Sequence, residues 1–160
     1  MKDILRILEK DARTSAARIS ALTGRPLAEV KNAIKEAEAQ RIILKYKTVV
    51  NWDKADEEQV RALIEVKVAP QRDVGFDSVA ERIYRFPEAR SVYLVSGTYD
   101  LAVMVVGKTM HEVASFVSEK LSPLESVQGT VTHFLLKPYK EDGDILEGGE
   151  ELSNRLAVAP

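Results

Sequence analysis

Residues 91–106 read Ser91-Val92-Tyr93-Leu94-Val95-Ser96-Gly97-Thr98-Tyr99-Asp100-Leu101-Ala102-Val103-Met104-Val105-Val106. The pattern is two strands joined by a tight turn. Val92, Leu94, Leu101, Val103 and Val105 supply the apolar and β-branched side chains. Gly97 stands where the chain must reverse and is free to take φ > 0 there. Asp100 places a charge beside an apolar strand at the mouth of the turn. A plain Gly/Asp turn former satisfies the same spacing. The rest of the chain is placed relative to this hairpin.

Upstream of it, Val60–Val68 alternates as a strand, 70–75 reads as a loop, and Asp77–Phe86 reads as a helix with Val79, Ile83 and Phe86 inward. Downstream, Thr109-Met110-His111-Glu112 has the Thr-x-x-Glu form of a capping box. The helix it opens carries Val113, Phe116, Val117 and Leu121 on one face and ends before Pro123. Val127–Lys137 is a last strand, with Val131, His133 and Leu135 on one side and Thr130, Thr132, Phe134 and Leu136 on the other. The order strand, helix, strand, strand, helix, strand is the split β-α-β, ferredoxin-like arrangement: an antiparallel sheet with two helices on one face. The other face has no helix, yet it too carries apolar residues. An uncovered apolar sheet implies a partner, most simply a second copy of the chain.

The N-terminal third has a different period. Ile4, Leu5, Ile7 and Leu8 mark a first helix over Asp3–Asp11. Thr14 or Ser15 caps a second, running to about Thr23 with Ala17, Ile19 and Leu22 inward. Gly24 suits its C-cap and Pro26 the first turn of a third helix, which reaches about Gln40 with Leu27, Val30, Ile34 and Ala37 on one face. Three short helices with a glycine in the second turn form a helix-turn-helix pattern. In such units the last helix enters the DNA major groove. Ala28, Lys31, Asn32 and Lys35 then lie outward, with Arg25 in the turn before them. Asn can read adenine, and Lys can reach guanine or phosphate. A plain three-helix bundle with a solvated face fits the same pattern. Arg41–Asn51 reads as a strand leaving this piece, with Lys45 and Lys47 either on a small wing over phosphates or on the polar side of a half-buried strand.

Composition agrees with a two-part chain. The 160 residues carry 23 Lys+Arg and 25 Asp+Glu. Met1–Lys54 holds 12 basic and 7 acidic residues, and the remainder 11 and 18. A basic front piece on an acidic body suggests that only the front meets a polyanion. No apolar run approaches the roughly 20 residues that span a bilayer, and the charged start does not read as a signal peptide. The absence of cysteine removes disulfides and thiolate metal sites and is compatible with a reducing cytoplasm. The expected divisions are a winged helix-turn-helix domain over 1–52, a hinge over 53–59, a ferredoxin-like domain over 60–138 and a tail over 139–160. The fold class is α+β.

A helix-turn-helix followed by this domain, with Gly97-Thr98-Tyr99-Asp100 at the hairpin, resembles the Lrp/AsnC family of bacterial and archaeal transcription regulators. Its Gly-x-Tyr-Asp signature is matched by Gly97, Tyr99 and Asp100. Asp11-Ala12-Arg13 and Val49-Val50-Asn51 also look like the family, and the resemblance covers residues 1 to about 140. It implies a cytoplasmic regulator that binds double-stranded DNA, forms homodimers through the sheet and assembles further into octamers. It also implies a small effector, an amino acid or related metabolite, held near the signature turn by Ser96, Gly97, Thr98, Tyr99 and Asp100. A carboxylate such as Asp100 can pair with the effector's ammonium, and backbone N–H groups around Gly97 and Thr98 can hold its carboxylate.

One departure stands out. The family's recognition helix typically reads Ser-Thr-Val-Ser-Arg-Arg-Ile, where this chain has Ala28-Glu29-Val30-Lys31-Asn32-Ala33-Ile34. Both arginines are replaced, by Asn32 and Ala33, and Glu29 faces phosphate unfavourably. A sensor or assembly partner that has lost its groove contacts is therefore the alternative within the same architecture. An enzyme is the other class, since some siroheme decarboxylases share the two-domain plan. The residues argue against it. There is no phosphate loop or zinc cluster, His111 reads as a solvent-facing first-turn residue, and His133 reads as a packed strand residue. No metal and no cofactor are expected. The tail, with Asp142-Gly143-Asp144 and 147–151 acidic and glycine-rich before Leu152, Leu156 and Val158, reads as a mobile or surface-docked segment, or as an arm on a neighbouring subunit.

Overall fold

The computed structural model describes residues 1–55, 57–69 and 75–146. Asp56, most of the loop expected over 70–75 and the end of the tail from Glu147 lie outside the described residues. The chain divides into two compact units, one ending at Val50 and the other beginning at Asn51.

The first unit is three helices: α1 (Lys2–Lys10), α2 (Ala16–Thr23) and α3 (Leu27–Ala39). Ser15 caps α2, its hydroxyl oxygen accepting from the Arg18 N–H at 3.2 Å. Gly24 ends α2 in the left-handed region at φ 69°, where a side chain would be strained. Ile4, Leu8, Ile19 and Val30 form the buried core, with Ile7, Ala16, Ala33, Ile34 and Ile43 packed on it. Two inward assignments in α2 are corrected: Ala17 is exposed and Leu22 is 56% exposed. Ala16 takes the inner position instead, because a helix of eight residues covers the core with little more than one stripe. Leu27, expected on the inner face of α3, is 40% exposed.

No strand forms over 41–50. A strand is stabilised by a ladder partner, and the described residues of this unit supply none. The segment instead leaves α3 through a left-handed residue, Arg41 at φ 57°. The Arg41 N–H donates to the Glu38 carbonyl at 3.1 Å and the Ile42 N–H to the Ala37 carbonyl at 2.8 Å. Those two bonds make a Schellman motif without its usual glycine.

The second unit opens with a 3-10 turn, Trp52–Ala55. Then follow β1 (Val60–Val68), α4 (Asp77–Tyr84), β2 (Ala89–Leu94), β3 (Leu101–Gly107), α5 (Met110–Ser115) continued by a π-helical turn over Phe116–Leu121, and β4 (Val127–Leu135). The sheet order is β2-β3-β1-β4, every neighbouring pair antiparallel. This is the ferredoxin-like order. Alternation along the strands sends Ala62, Ile64, Val66 and Val68 of β1 and Leu101, Val103 and Val105 of β3 to one face. They bury there against Val79 and Ile83 of α4 and Val113, Phe116 and Leu121 of the last helical segment. Both helices therefore cover the same face. Each fully buried Val, Leu or Ile contributes about 1.5–3 kcal/mol of transfer free energy. Half of the capping box forms: the Thr109 hydroxyl accepts from the Glu112 N–H at 3.1 Å, while the Glu112 carboxylate reaches one residue further back, to the Lys108 N–H at 2.7 Å.

The opposite face of the sheet has no helix. In register across it stand Val131 opposite Glu65 and Tyr93 opposite Ala102, with Leu63 between His133 and Met104. Tyr93 is 58% and Val131 53% exposed. His133 lies on this face rather than in the packed one, its Nε2 3.1 Å from Glu65 Oε1. The strand's own period decides this, since Thr132 and Phe134 take the inner positions.

The early tail is ordered structure. β5 (Lys140–Glu141) and β6 (Asp144–Ile145) pair antiparallel around Asp142 and Gly143, both with φ > 0. Arg61 donates to Glu141 at 2.9 Å, and the Asn51 amide to the Leu146 carbonyl at 3.0 Å. The hairpin is docked onto the start of β1.

Candidate DNA-reading helix and effector loop

In the first unit, Ala28, Lys31, Asn32 and Lys35 all project from the exposed side of α3. The buried side is fixed by Val30 and Ala37, both 0% exposed. The outward set is a consequence of that anchoring: residues 28, 31, 32 and 35 share the face opposite 30, 34 and 37 at 3.6 residues per turn. Two cations and one amide on a helix that follows a glycine turn can meet phosphates and a base edge.

Arg25 behaves differently. Its Nε donates to Asp3 Oδ2 at 2.8 Å, and a second guanidinium nitrogen pairs with the Glu29 carboxylate. Arg25 beside it holds the Asp3 carboxyl well below the usual carboxylate range. The same two acids, Asp3 first, raise the guanidinium's pKa. Lys45 and Lys47 sit in the extended segment after α3, both exposed. Between them, the Tyr46 hydroxyl donates to Glu38 at 2.8 Å, which holds the segment along the end of α3. Burial, and then Glu38, push the Tyr46 phenol up.

In the second unit the hairpin turn is wider than a tight two-residue reversal. It runs from Val95 to Asp100, closed by the Val95 N–H on the Asp100 carbonyl at 2.9 Å. Gly97 does not adopt positive φ, and a Cβ built on it meets nothing within 4 Å. The longer loop spreads the reversal over several residues, so no single one needs the left-handed region. Ser96, Gly97 and Thr98 are exposed, while Tyr99 and Asp100 are half-buried. Among the described residues, the backbone N–H groups of Ser96, Gly97, Thr98 and Tyr99 have no backbone partner. Four such groups in a short loop can hold a carboxylate.

Asp100 is tied inward. Its Oδ2 accepts from the Val68 N–H at 2.8 Å and stands 3.4 Å from Lys67 Nζ. Its own N–H donates to the Val66 carbonyl at 3.1 Å. The β1–β3 ladder ends at Val66 opposite Leu101. Asp100 thus supplies by side chain an acceptor for the Val68 N–H beyond the end of that ladder. Sequence spacing gave no sign of this, because the partner is a backbone group of a distant strand.

An open groove of about 290 Å³ lies elsewhere in the unit, lined by Glu88, Val105, Gly107, His111, Phe116 and Lys120 among others. Lys120 pairs with Glu88 there, which holds that carboxyl below its ordinary value. His111 is exposed, as its first-turn position implies. Among the described residues, no group of three or more acidic or imidazole side chains is placed to hold a metal. No described helix is long and apolar enough to cross a membrane.

Residues 61–145 match the family described as the Lrp/AsnC ligand binding domain. The chain is 49% identical over 159 residues to the uncharacterized HTH-type transcriptional regulator YugG of Bacillus subtilis, covering 99% of this chain and 95% of that one. The chain belongs to the Lrp/AsnC family. A second relative of Lrp/AsnC chains like this one is the HTH-type transcriptional regulator FL11 of Pyrococcus furiosus, 31% identical over 90% of this chain and 92% of that one. Among solved structures, transcriptional regulator NMB0573 from Neisseria meningitidis, in complex with L-Met, is similar in fold. Its TM-score is 0.70 at 21% identity, covering 88% and 90% of the two chains.

Proposed function

We propose that this Lrp/AsnC chain is an oligomeric transcription regulator that binds double-stranded DNA through α3 and answers to an amino acid held at the 95–100 loop. The observation that carries the reading is the pairing, in one chain, of a helix-turn-helix whose last helix presents Lys31, Asn32 and Lys35 with an Lrp/AsnC ligand binding domain. Arg25, Ala28, Lys45 and Lys47 complete the DNA-facing set. The naming of its relatives as HTH-type transcriptional regulators supports this over an enzyme.

The effector is an amino acid, a class supported by the L-Met in the complex of the similarly folded NMB0573. Ser96, Gly97, Thr98 and Tyr99 offer backbone N–H groups to its carboxylate. Asp100 faces its ammonium while also holding β1. The helix-free sheet face joins two copies into a homodimer, because Tyr93, Val131 and Leu135 expose apolar surface there. Dimers assemble further into an octamer in the cytoplasm. Effector control needs only a differential affinity of the amino acid for two assembly or DNA-binding states.

The test is binding to the DNA upstream of the protein's own gene, against random DNA of equal length, over a salt series. Specific binding with a steep loss of affinity as salt rises is the expected result. A stable oligomer with no binding at low salt overturns it in favour of a sensor that has lost its groove contacts.

A further inference from the structure

Arg25 is the one cation in the turn between α2 and α3, two residues before the helix read here as the DNA-facing one. Its planar fork is occupied. Nε is on Asp3, from the first turn of α1, at 2.8 Å, and a terminal nitrogen is on Glu29, from the first turn of α3. The three side chains are 37%, 42% and 50% exposed. The cluster is therefore on the surface, open to exchange with any competing anion. The Met1 ammonium, 3.1 Å from Asp3 Oδ1, brings the cluster to neutrality, at the end of a helix whose outer face otherwise carries Lys31 and Lys35.

We infer that Asp3 and Glu29 act as an internal stand-in for phosphate, occupying Arg25 in the free protein and holding down the DNA affinity of this unit. The inference rests on the DNA-binding reading above. Guanidinium binds carboxylate and phosphate through the same bidentate geometry, so the two anions compete for one site. A phosphate that displaces the carboxylates also leaves the Glu29 charge beside itself without Arg25, and Asp3 with the Met1 ammonium alone. Arg25 then adds little to the release of counterions on binding. This accounts for Glu29 standing at a position that would otherwise repel the DNA backbone: its charge is spent on Arg25.

The experiment is a double-mutant cycle in DNA binding over a salt series, with circular dichroism as the folding control. Asp3→Asn with Glu29→Gln keeps shape and acceptors but removes both charges. The expected result is about tenfold tighter binding near 0.1 M salt and a log–log salt slope steeper by about 0.9, one added phosphate contact. In an Arg25→Gln background the same pair of changes yields a much smaller gain and no change of slope. An equal gain with and without Arg25, or no gain, overturns the inference. Glu29→Gln alone serves if the pair fails to fold, and an intermediate gain dependent on Arg25 is expected from it. If the unaltered protein binds DNA but the cycle is flat, only this inference falls. If no variant binds, the DNA-binding reading falls and takes this one with it.

Discussion

The Asp100 carboxylate holds the backbone N–H of Val68, 32 residues before it, at 2.8 Å. The signature turn of the second unit is thereby fastened to the end of β1 where the β1–β3 ladder has run out. A bond from a backbone N–H to an ionised acceptor contributes about 1.5–3 kcal/mol. The neighbouring Lys67 ion pair, half exposed, adds little. Asp100→Ala should therefore lower the unfolding free energy by about 2 kcal/mol in a urea titration, and Asp100→Asn by less, since its amide oxygen still accepts. A stability unchanged by either substitution would show that the bond contributes nothing net. Loss of ligand response in Asp100→Ala is accordingly evidence about the ligand only when the Asn variant is measured beside it.

Replacing Lys31 and Lys35 together with alanine should weaken DNA binding and flatten the salt slope by about 1.8, two phosphate contacts. Both side chains are exposed, so the midpoint of thermal unfolding should move little. Unaltered DNA binding would transfer the contact to another surface.

Glycine content and backbone need are mismatched at two places, and each gives an opposite expectation. Arg41 occupies the left-handed region at φ 57°, where a side chain costs about 1–2 kcal/mol. Arg41→Gly should stabilise the first unit by about 1 kcal/mol, net of the greater freedom glycine gives the unfolded chain. Gly97 needs no such freedom and has open space around it. Gly97→Ala should leave stability within about 0.5 kcal/mol. A destabilised Arg41→Gly protein would mean that the Arg41 side chain makes a contact worth more than the strain.

Acid should loosen the first unit through Asp3. Arg25 keeps its carboxyl below the ordinary 3.8 in the folded chain. Below that value the unfolded chain takes up a proton that the folded chain refuses, so stability falls with falling pH. The increment is complete at neutral pH and is lost as pH drops through and below 3.8. Comparing urea midpoints at pH 6 and pH 3, Asp3→Asn should show the smaller drop. Equal drops in the two proteins would leave Asp3 without a part in the acid response.

Much of this arrangement is legible in the residues. The period-2 runs at 60–68 and 127–135 and the period-3.6 faces on Val30, Val113 and Phe116 require no knowledge of tertiary contacts, because burial follows directly from spacing. The Thr109 and Ser15 caps are equally local. In α2 spacing misplaces Ala17 and Leu22, both exposed, because so short a helix covers the core with little more than one stripe. What else escapes is of three kinds. The strand expected over 41–51 fails because strand character needs a partner, which spacing alone does not supply. Asp100 and Arg25 escape because each is defined by a partner distant in sequence: Val68 for one, Asp3 for the other. The 140–145 hairpin carries a local signal. Asp142-Gly143 is a strong turn signal, masked by the acidic composition around it. At the two candidate sites, spacing identifies the outward face of α3 and the signature loop. It does not reveal that Arg25 and Asp100 are already engaged within the chain.

In a DNA-binding regulator governed by an amino acid, the two binding equilibria are coupled. The measurement that tests this coupling most directly is the dissociation constant for the DNA upstream of its own gene, at fixed salt, with and without each proteinogenic amino acid. One of them, or a small chemically related group, should change the constant by about 5- to 150-fold, with the DNA changing the affinity for that amino acid by the same factor. Specific DNA binding that no amino acid alters, with none binding the free protein, would contradict the account.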